Sequence, residues 1–377
     1  MHAFSRTPFR FSALAALALA AVLAAPAPLR AATPGSIAED PYVGAIVVDA
    51  RTGEVLREDR AGRPAYPASM LKLMNLYVTL DAVSAGRVAL SDVVPVTRAA
   101  ASIGGSQVYL DPRESFPLSE LVYAMMIQSA NDAAYLVAEH VAGSASAFVD
   151  LMNQKARDLG LSPVTRFVSP HGLPPKDGRP DITTAADFAK VCVGLLRDHP
   201  EALEYTSATY RQFRPDARPP FSPFDMRTHN PLLGSFPGCD GLKTGYFSRA
   251  GYSIAVTASR DGRRAIAVVL GSASKASRND AARSWLEYGL ARASAAPAAP
   301  PPDVAPANGD NPSVLAVVEE PADDSTAPAE EPAPEKKGGF AKFLVWTVVL
   351  LLVGWIVLKV VKRRLLVSRN ANVHVRK

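Results

Sequence analysis

Only two cysteines occur in the 377 residues, which excludes a disulfide-stapled scaffold and leaves a hydrophobic core to hold the fold. Cys192 lies in an apolar helical run and Cys239 in what reads as a loop. An oxidising compartment would permit them to pair, but spacing does not bring them together, and two buried free thiols are expected. No internal repeat is visible. A true excess of positive charge is missing as well. The formal charge is +5, yet residues 33–292 hold 28 Lys and Arg against 27 Asp and Glu. The surplus sits at the two ends, which argues against a nucleic-acid surface. No metal and no cofactor is expected.

Those ends read as membrane signals. Arg6 and Arg10 precede an almost wholly apolar run from Phe11 to Ala25, and small residues such as Ala31 and Ala32 follow. Residues 1–32 are therefore expected to be a secretory signal peptide, with an uncleaved anchor as the rival. Near the other end Phe343 to Leu358 carries no charge. A transmembrane helix is expected over 340–361, against the rival of a surface-lying helix, which would need a polar face that Leu350 to Val353 does not leave. Residues 362–377 form a basic tail, and the positive-inside rule puts it in the cytoplasm. The globular part then faces outward from the cytoplasmic membrane, on the periplasmic or extracellular side. Residues 293–339 are rich in Pro, Ala and acidic residues, as in a disordered tether spanning about 40 Å on average.

That leaves 33–292 as one globular domain. Val43–Asp49 with Glu54–Arg57, and Tyr252–Ser259 with Ala265–Leu270, read as two antiparallel hairpins. Between them the periodicity predicts helices over Ser69–Ala85, Ser119–Gln128 with a Ser cap, Ala133–Ala142 closed by Gly143, Ala147–Leu159 and Thr184–Leu196. Strands at both ends with helices between predict an α+β fold, an antiparallel sheet flanked by helices.

Three short motifs carry the chemistry. In Ser69-Met70-Leu71-Lys72 a helical spacing of three sets an amine beside a hydroxyl, and a lysine whose pKa is lowered can deprotonate a serine. Ser129-Ala130-Asn131 falls at a break between two helices, where a hydroxyl and an amide project into a cleft. Lys243-Thr244-Gly245 precedes the second hairpin and is expected on an edge strand, offering a charge, a hydroxyl and a site of close backbone approach. Alone each is weak. In this order they are the signature of serine β-lactamases and penicillin-binding proteins.

Around them the chain resembles the low-molecular-mass penicillin-binding proteins, the serine D-alanyl-D-alanine carboxypeptidase family, from about Tyr42 to Gly289. The likeness includes Val47 to Leu56, Pro67-Ala68-Ser69, Gln128 to Ala133, Met152-Asn153, Pro170-His171-Gly172-Leu173 and Asp240 to Tyr246. It implies a penicillin-binding, β-lactamase-like fold with a helical subdomain. It further implies Ser69 as the acylated nucleophile, Lys72 as its base, and Ser129 and Asn131 as the second wall of the cleft. Lys243, Thr244 and Arg278 would hold a terminal carboxylate, Gly245 would admit the substrate backbone, and the amides of Ser69 and Tyr246 would form the oxyanion hole. His171 is expected to be structural. Ala130 replaces a glycine found in many relatives, and Tyr246 a frequently polar residue. Where several relatives have a small β-rich second domain, the tether and spanning helix are expected in this chain.

The activity so implied is removal of the terminal D-alanine from peptidoglycan stem pentapeptides, with β-lactams as inhibitors. The rivals are a D,D-endopeptidase cutting cross-links, a serine β-lactamase, and a binding protein without turnover. Binding alone has no use for Ser69, Lys72 and Lys243 together.

Overall fold

The computed structural model describes residues 35–174 and 178–295. The expected signal peptide, spanning helix and basic tail lie outside them, as does nearly all of the tether.

A sequence period of two explains the centre of the molecule. Strand β1 (Gly44–Asp49) is buried along its whole length, because alternate residues enter different cores. Ile46 and Val48 join a large cluster shared with most of the helices, while Ala45 and Val47 join a smaller one with Trp285, Leu286 and Leu290. The period of two thus covers the sheet on both faces. Its other strands are β2 (Val55–Asp59), and later β7 (Cys239–Phe247), β8 (Gly251–Arg260) and β9 (Arg263–Ser272). The order is β2-β1-β9-β8-β7, antiparallel throughout. Both expected hairpins are present. The β8–β9 turn uses Asp261 and Gly262, both at positive φ, as a two-residue hairpin turn demands. Lys243 to Gly245 lie on β7, an edge strand as expected. Two small ribbons, β3 (Val93–Pro95) with β4 (Ser115–Pro117) and β5 (Tyr210–Phe213) with β6 (Phe224–Arg227), complete the strands among the described residues.

The helices are α1 (Lys72–Ser84), α2 (Arg98–Ala101), α3 (Leu118–Ile127), α4 (Asn131–Ala142), α5 (Ala145–Asp158), α6 (Ala185–Asp198), α7 (Ala202–Ser207) and α8 (Lys275–Leu290). Gly143 closes α4 in a left-handed conformation, and Thr184 caps α6 by accepting from the Asp187 amide at 3.0 Å.

Several expectations need correction. Ser69 lies in a 3₁₀ turn, Ala68–Leu71, and the α-helix begins only at Lys72. The first helix of the second motif starts at Leu118 with Pro117 at its cap position, so Ser119 sits inside the helix and does not open it. Cys239 begins a strand and is half-buried, while Cys192 is buried, and both are free. Helix α8 went unforeseen because its large apolar residues are few, although Ser274 caps it through the Ser277 amide at 3.0 Å. The domain also does not end at Arg292. Ala293 is buried, the Ser294 amide donates to Asp49 Oδ2 at 2.7 Å, and Ala295 bridges to Arg263.

The last contacts generate a prediction. A chain ending at Arg292 forfeits a hydrogen bond to a charged acceptor and a buried methyl, and should be about 1.5–3 kcal/mol less stable than one ending at Pro297. Urea unfolding of the two checks this, and equal midpoints would put the boundary back at Arg292.

Candidate active site

The three motifs arrive from separate elements: the 3₁₀ turn before α1, the α3–α4 break, and edge strand β7. They border one cleft of about 800 Å³, lined by Ser69, Ser129, Asn131, Thr244, Gly245, Tyr246 and Arg278, with no carboxylate among its lining residues. Close backbone approach joins two of these elements. A Cβ on Gly245 would stand 2.3 Å from the Pro67 carbonyl oxygen, so only glycine lets β7 press against the turn bearing Ser69. The backbone is also unusual at both walls. Ala68, just before the serine, and Ser129 hold φ of 50° and 62°, values that cost non-glycine residues about 1–3 kcal/mol and cluster where geometry serves function.

Lys72 lies under the cleft, 0% exposed. Its Nζ reaches Ser69 Oγ at 2.9 Å, Asn131 Oδ1 at 2.7 Å and the His171 carbonyl oxygen at 2.6 Å. Asn131 is itself oriented, because its Nδ2 donates to the Gly104 carbonyl at 2.8 Å. Two of the three partners are therefore pure acceptors in fixed positions. Burial pushes the Lys72 pKa well below the ordinary lysine value, the Lys243 charge lowers it further, and Asp132 and Asp181 oppose. Neutral Lys72 has two N–H bonds and one lone pair. When the N–H bonds point at the two carbonyl-type oxygens, the lone pair faces the Ser69 hydroxyl, the arrangement a base requires.

A second group of side chains in the cleft is cationic. Lys243 is 3% exposed, with its Nζ near the Thr244 carbonyl oxygen at 3.3 Å. Desolvation, then the nearby Arg278 guanidinium, pull its pKa down to about 7. Arg278, one turn into α8, is buried and donates to Asn279 Oδ1 at 2.7 and 3.0 Å. Desolvation brings it to about 10. An anion in the cleft would relieve this crowding of positive charge. Tyr246 is 51% exposed and stacks on Tyr252 across the β7–β8 ladder, ring centres 4.3 Å apart.

All nine sequence-selected residues therefore converge, seven on the cleft surface and the two lysines beneath it. His171 has a larger part than expected, since its backbone carbonyl holds Lys72. Its ring accepts the Leu173 amide at Nδ1, and desolvation followed by the Lys72 charge depresses its pKa to about 3. Lys275 and His229 also line the cleft and were not among the expected residues. Nor was Asp132, whose carboxylate accepts the amides of Val108 and Leu110 and so anchors the loop carrying Gly104. Asp132 falls inside the family-like stretch Gln128 to Ala133, but its part, like those of Lys275 and His229, comes only from what the fold puts beside it.

With this geometry in view, the family model for D-alanyl-D-alanine carboxypeptidases matches residues 33–274. This chain belongs to that family. Its relatives include the D-alanyl-D-alanine carboxypeptidase DacF of Bacillus subtilis, 34% identical over 66% of this chain and 62% of that one. DacC of Escherichia coli is 34% identical over 65% of this chain and 60% of its own length. The match thus spans about three-fifths of these relatives. Among solved structures, penicillin-binding protein D2 of Listeria monocytogenes, in its ampicillin-bound form, superposes with a TM-score of 0.59 at 31% identity, covering 66% of this chain and 97% of that one. Penicillin-binding protein 5 of Haemophilus influenzae gives 0.61 at 28% identity, over 67% and 71%. The fold is that of the penicillin-binding proteins, an antiparallel sheet with flanking helices.

The charges around His229 make a testable point. Desolvation, then Lys243, Lys275, Lys72 and Arg278, depress its pKa to about 4. Both His229 and His171 should therefore keep neutral rings from about pH 8 down to about pH 5. Side-chain NMR of the imidazoles measures this directly, and a ring that protonates near pH 6.5 would contradict the proposed electrostatics of the cleft.

Proposed function

We propose that this protein is a serine D-alanyl-D-alanine carboxypeptidase that removes the terminal D-alanine from peptidoglycan stem pentapeptides. The observation that carries the reading is the buried Lys72 amine, fixed by two pure acceptors and aimed at Ser69 Oγ. A binding protein has no use for a nucleophile and base held this way.

In this mechanism Ser69 Oγ attacks the carbonyl carbon of the D-Ala–D-Ala bond while Lys72 Nζ takes the hydroxyl proton. The amides of Ser69 and Tyr246 receive the oxyanion. Lys243, Thr244 and Arg278 hold the terminal carboxylate, Gly245 lets the substrate backbone lie along β7, and Asn131 faces the acyl portion. As the C–N bond breaks, Ser129 passes the proton from Lys72 to the departing amine. Water then cleaves the acyl-serine ester, releasing the shortened stem peptide and restoring Ser69.

A β-lactam is attacked in the same way, but its leaving group stays tethered in the cleft, so the adduct persists. Residues 1–32 serve as the export signal, 296–339 as the tether, 340–361 as a single membrane-spanning anchor and 362–377 as a cytoplasmic tail. The enzyme then works at the outer side of the cytoplasmic membrane.

Two tests follow. Penicillin should add one mass equivalent to Ser69, Ser69→Ala should abolish the adduct with the fold intact, and Lys72→Ala should slow it severely. Peptide mapping that located the adduct on Ser129 would sink the assignment. Lys243→Ala should weaken turnover of a free-acid peptide by about 1.5–3 kcal/mol in transition-state stabilisation and of its C-terminal amide by much less. Equal losses in kcat/KM on both would move Lys243 away from carboxylate recognition.

A further inference from the structure

The His171 carbonyl that orients Lys72 belongs to a short turn, and that turn is tied down by a carboxylate outside it. Asp181 is 2% exposed. Its Oδ1 accepts the amides of Val168 at 2.6 Å and Ser169 at 3.1 Å, and its Oδ2 accepts the Ser169 hydroxyl at 2.9 Å. The same hydroxyl accepts the Gly172 amide at 2.9 Å. His171 lies between those two residues, so its carbonyl direction is set at both flanks. Pro170, in the same turn, accepts from Asn75 Nδ2 at 2.9 Å. On its other side the turn has no slack. Gly172 holds φ of +93°, and a Cβ there would stand 2.3 Å from the Ala68 carbonyl oxygen, one residue from the serine. The turn is thus clamped between Asp181 and the 3₁₀ segment of Ser69.

The charge of Asp181 has a consequence separate from its hydrogen bonds. Five titratable groups act on or beside Lys72: Lys243 from β7 lowers its proton affinity, Asp132 from α4 and Asp181 raise it, and the His171 and His229 rings are neutral. Asp181 is itself raised to about 6 by burial, against the pull of its donors, so it is mostly ionised at neutral pH. An asparagine would retain an acceptor for the turn amides but not the charge.

We propose that Asp181 is a positioning residue for Lys72, fixing the His171 carbonyl through the Ser169–Gly172 turn and setting with its charge how readily the amine yields a proton. This rests on the reading of Lys72 as the base. The experiment follows acylation of the full-length chain by a fluorescent penicillin from about pH 5 to about pH 9, for wild type, Asp181→Asn, Ser169→Ala and Lys72→Met, with melting temperatures alongside. Asp181→Asn should lower the plateau rate about 10- to 100-fold and move the acid limb to lower pH by about half a unit or more. Ser169→Ala keeps the charge and loses the link to Gly172, so it should slow acylation with the limb unmoved.

A wild-type rate in Ser169→Ala overturns the proposal, even should Asp181→Asn fail to fold. So does Asp181→Asn with an unshifted limb, whether its rate is normal or reduced. Undiminished acylation in Lys72→Met would instead overturn the assignment of the base, a result readable apart from the other two variants.

Discussion

Lys72 Nζ is enclosed by protein, and an ammonium ion there has no water to solvate it. That constraint orders the surrounding structure. A fully charged lysine at this depth would need three acceptors and a counter-charge; the site supplies two carbonyl-type oxygens, a hydroxyl and, further off, two carboxylates opposed by Lys243. The balance tips the amine toward its neutral form while leaving it a strong hydrogen-bonding group. Each partner is in turn held by something else: Asn131 by the Gly104 carbonyl, that loop by Asp132, and the His171 carbonyl by its clamped turn. A base is useful only if its lone pair points the right way, and the network serves that end.

The fold makes such a network possible by bringing four distant segments to one edge of the sheet. Strand β7 is an edge strand of the sheet, and among the described residues no further strand pairs with its outer side. The 3₁₀ turn before α1 can approach it only because position 245 has no side chain. Helix α8 packs across the other sheet face with Trp285 and Leu286, and its first turn carries Arg278 and Lys275 to the cleft. Positive charge at a helix N-terminus opposes the helix dipole, an unfavourable arrangement that an anionic ligand would offset.

The parts of this architecture that were legible in the sequence are those with a local cause. Short apolar runs rich in Val, Ile and Ala in 44–49 and 263–272, turn residues at 261–262, and the Thr184 and Gly143 helix boundaries depend on near neighbours, and the structure agrees with them. Misreadings arose where local rules admit two answers. A helical period at 69–85 does not distinguish an opening 3₁₀ turn from an α turn, and Ser119 looked like a cap because a serine in a first turn and a serine before it read alike. Helix α8 was overlooked because so few of its residues are apolar, its burial resting mainly on Trp285, Leu286 and Leu290.

For the site, the chain by itself determined which groups are present and that Ser69 and Lys72 are neighbours, because three residues in a tight helical turn cannot be far apart. It also marked Ser129, Asn131, Lys243 and Thr244 as candidates, since hydroxyls, amides and lysines in that order have a shared chemistry. Only the tertiary structure decided the rest. Whether Lys72 is a cation or a base depends on burial and on Lys243, Asp132 and Asp181, residues up to 171 positions away. That a histidine contributes its backbone oxygen, not its ring, depends on a turn closed by Asp181 and Ser169. Proton affinity and orientation are properties of an environment, and that environment exists only once the chain has folded.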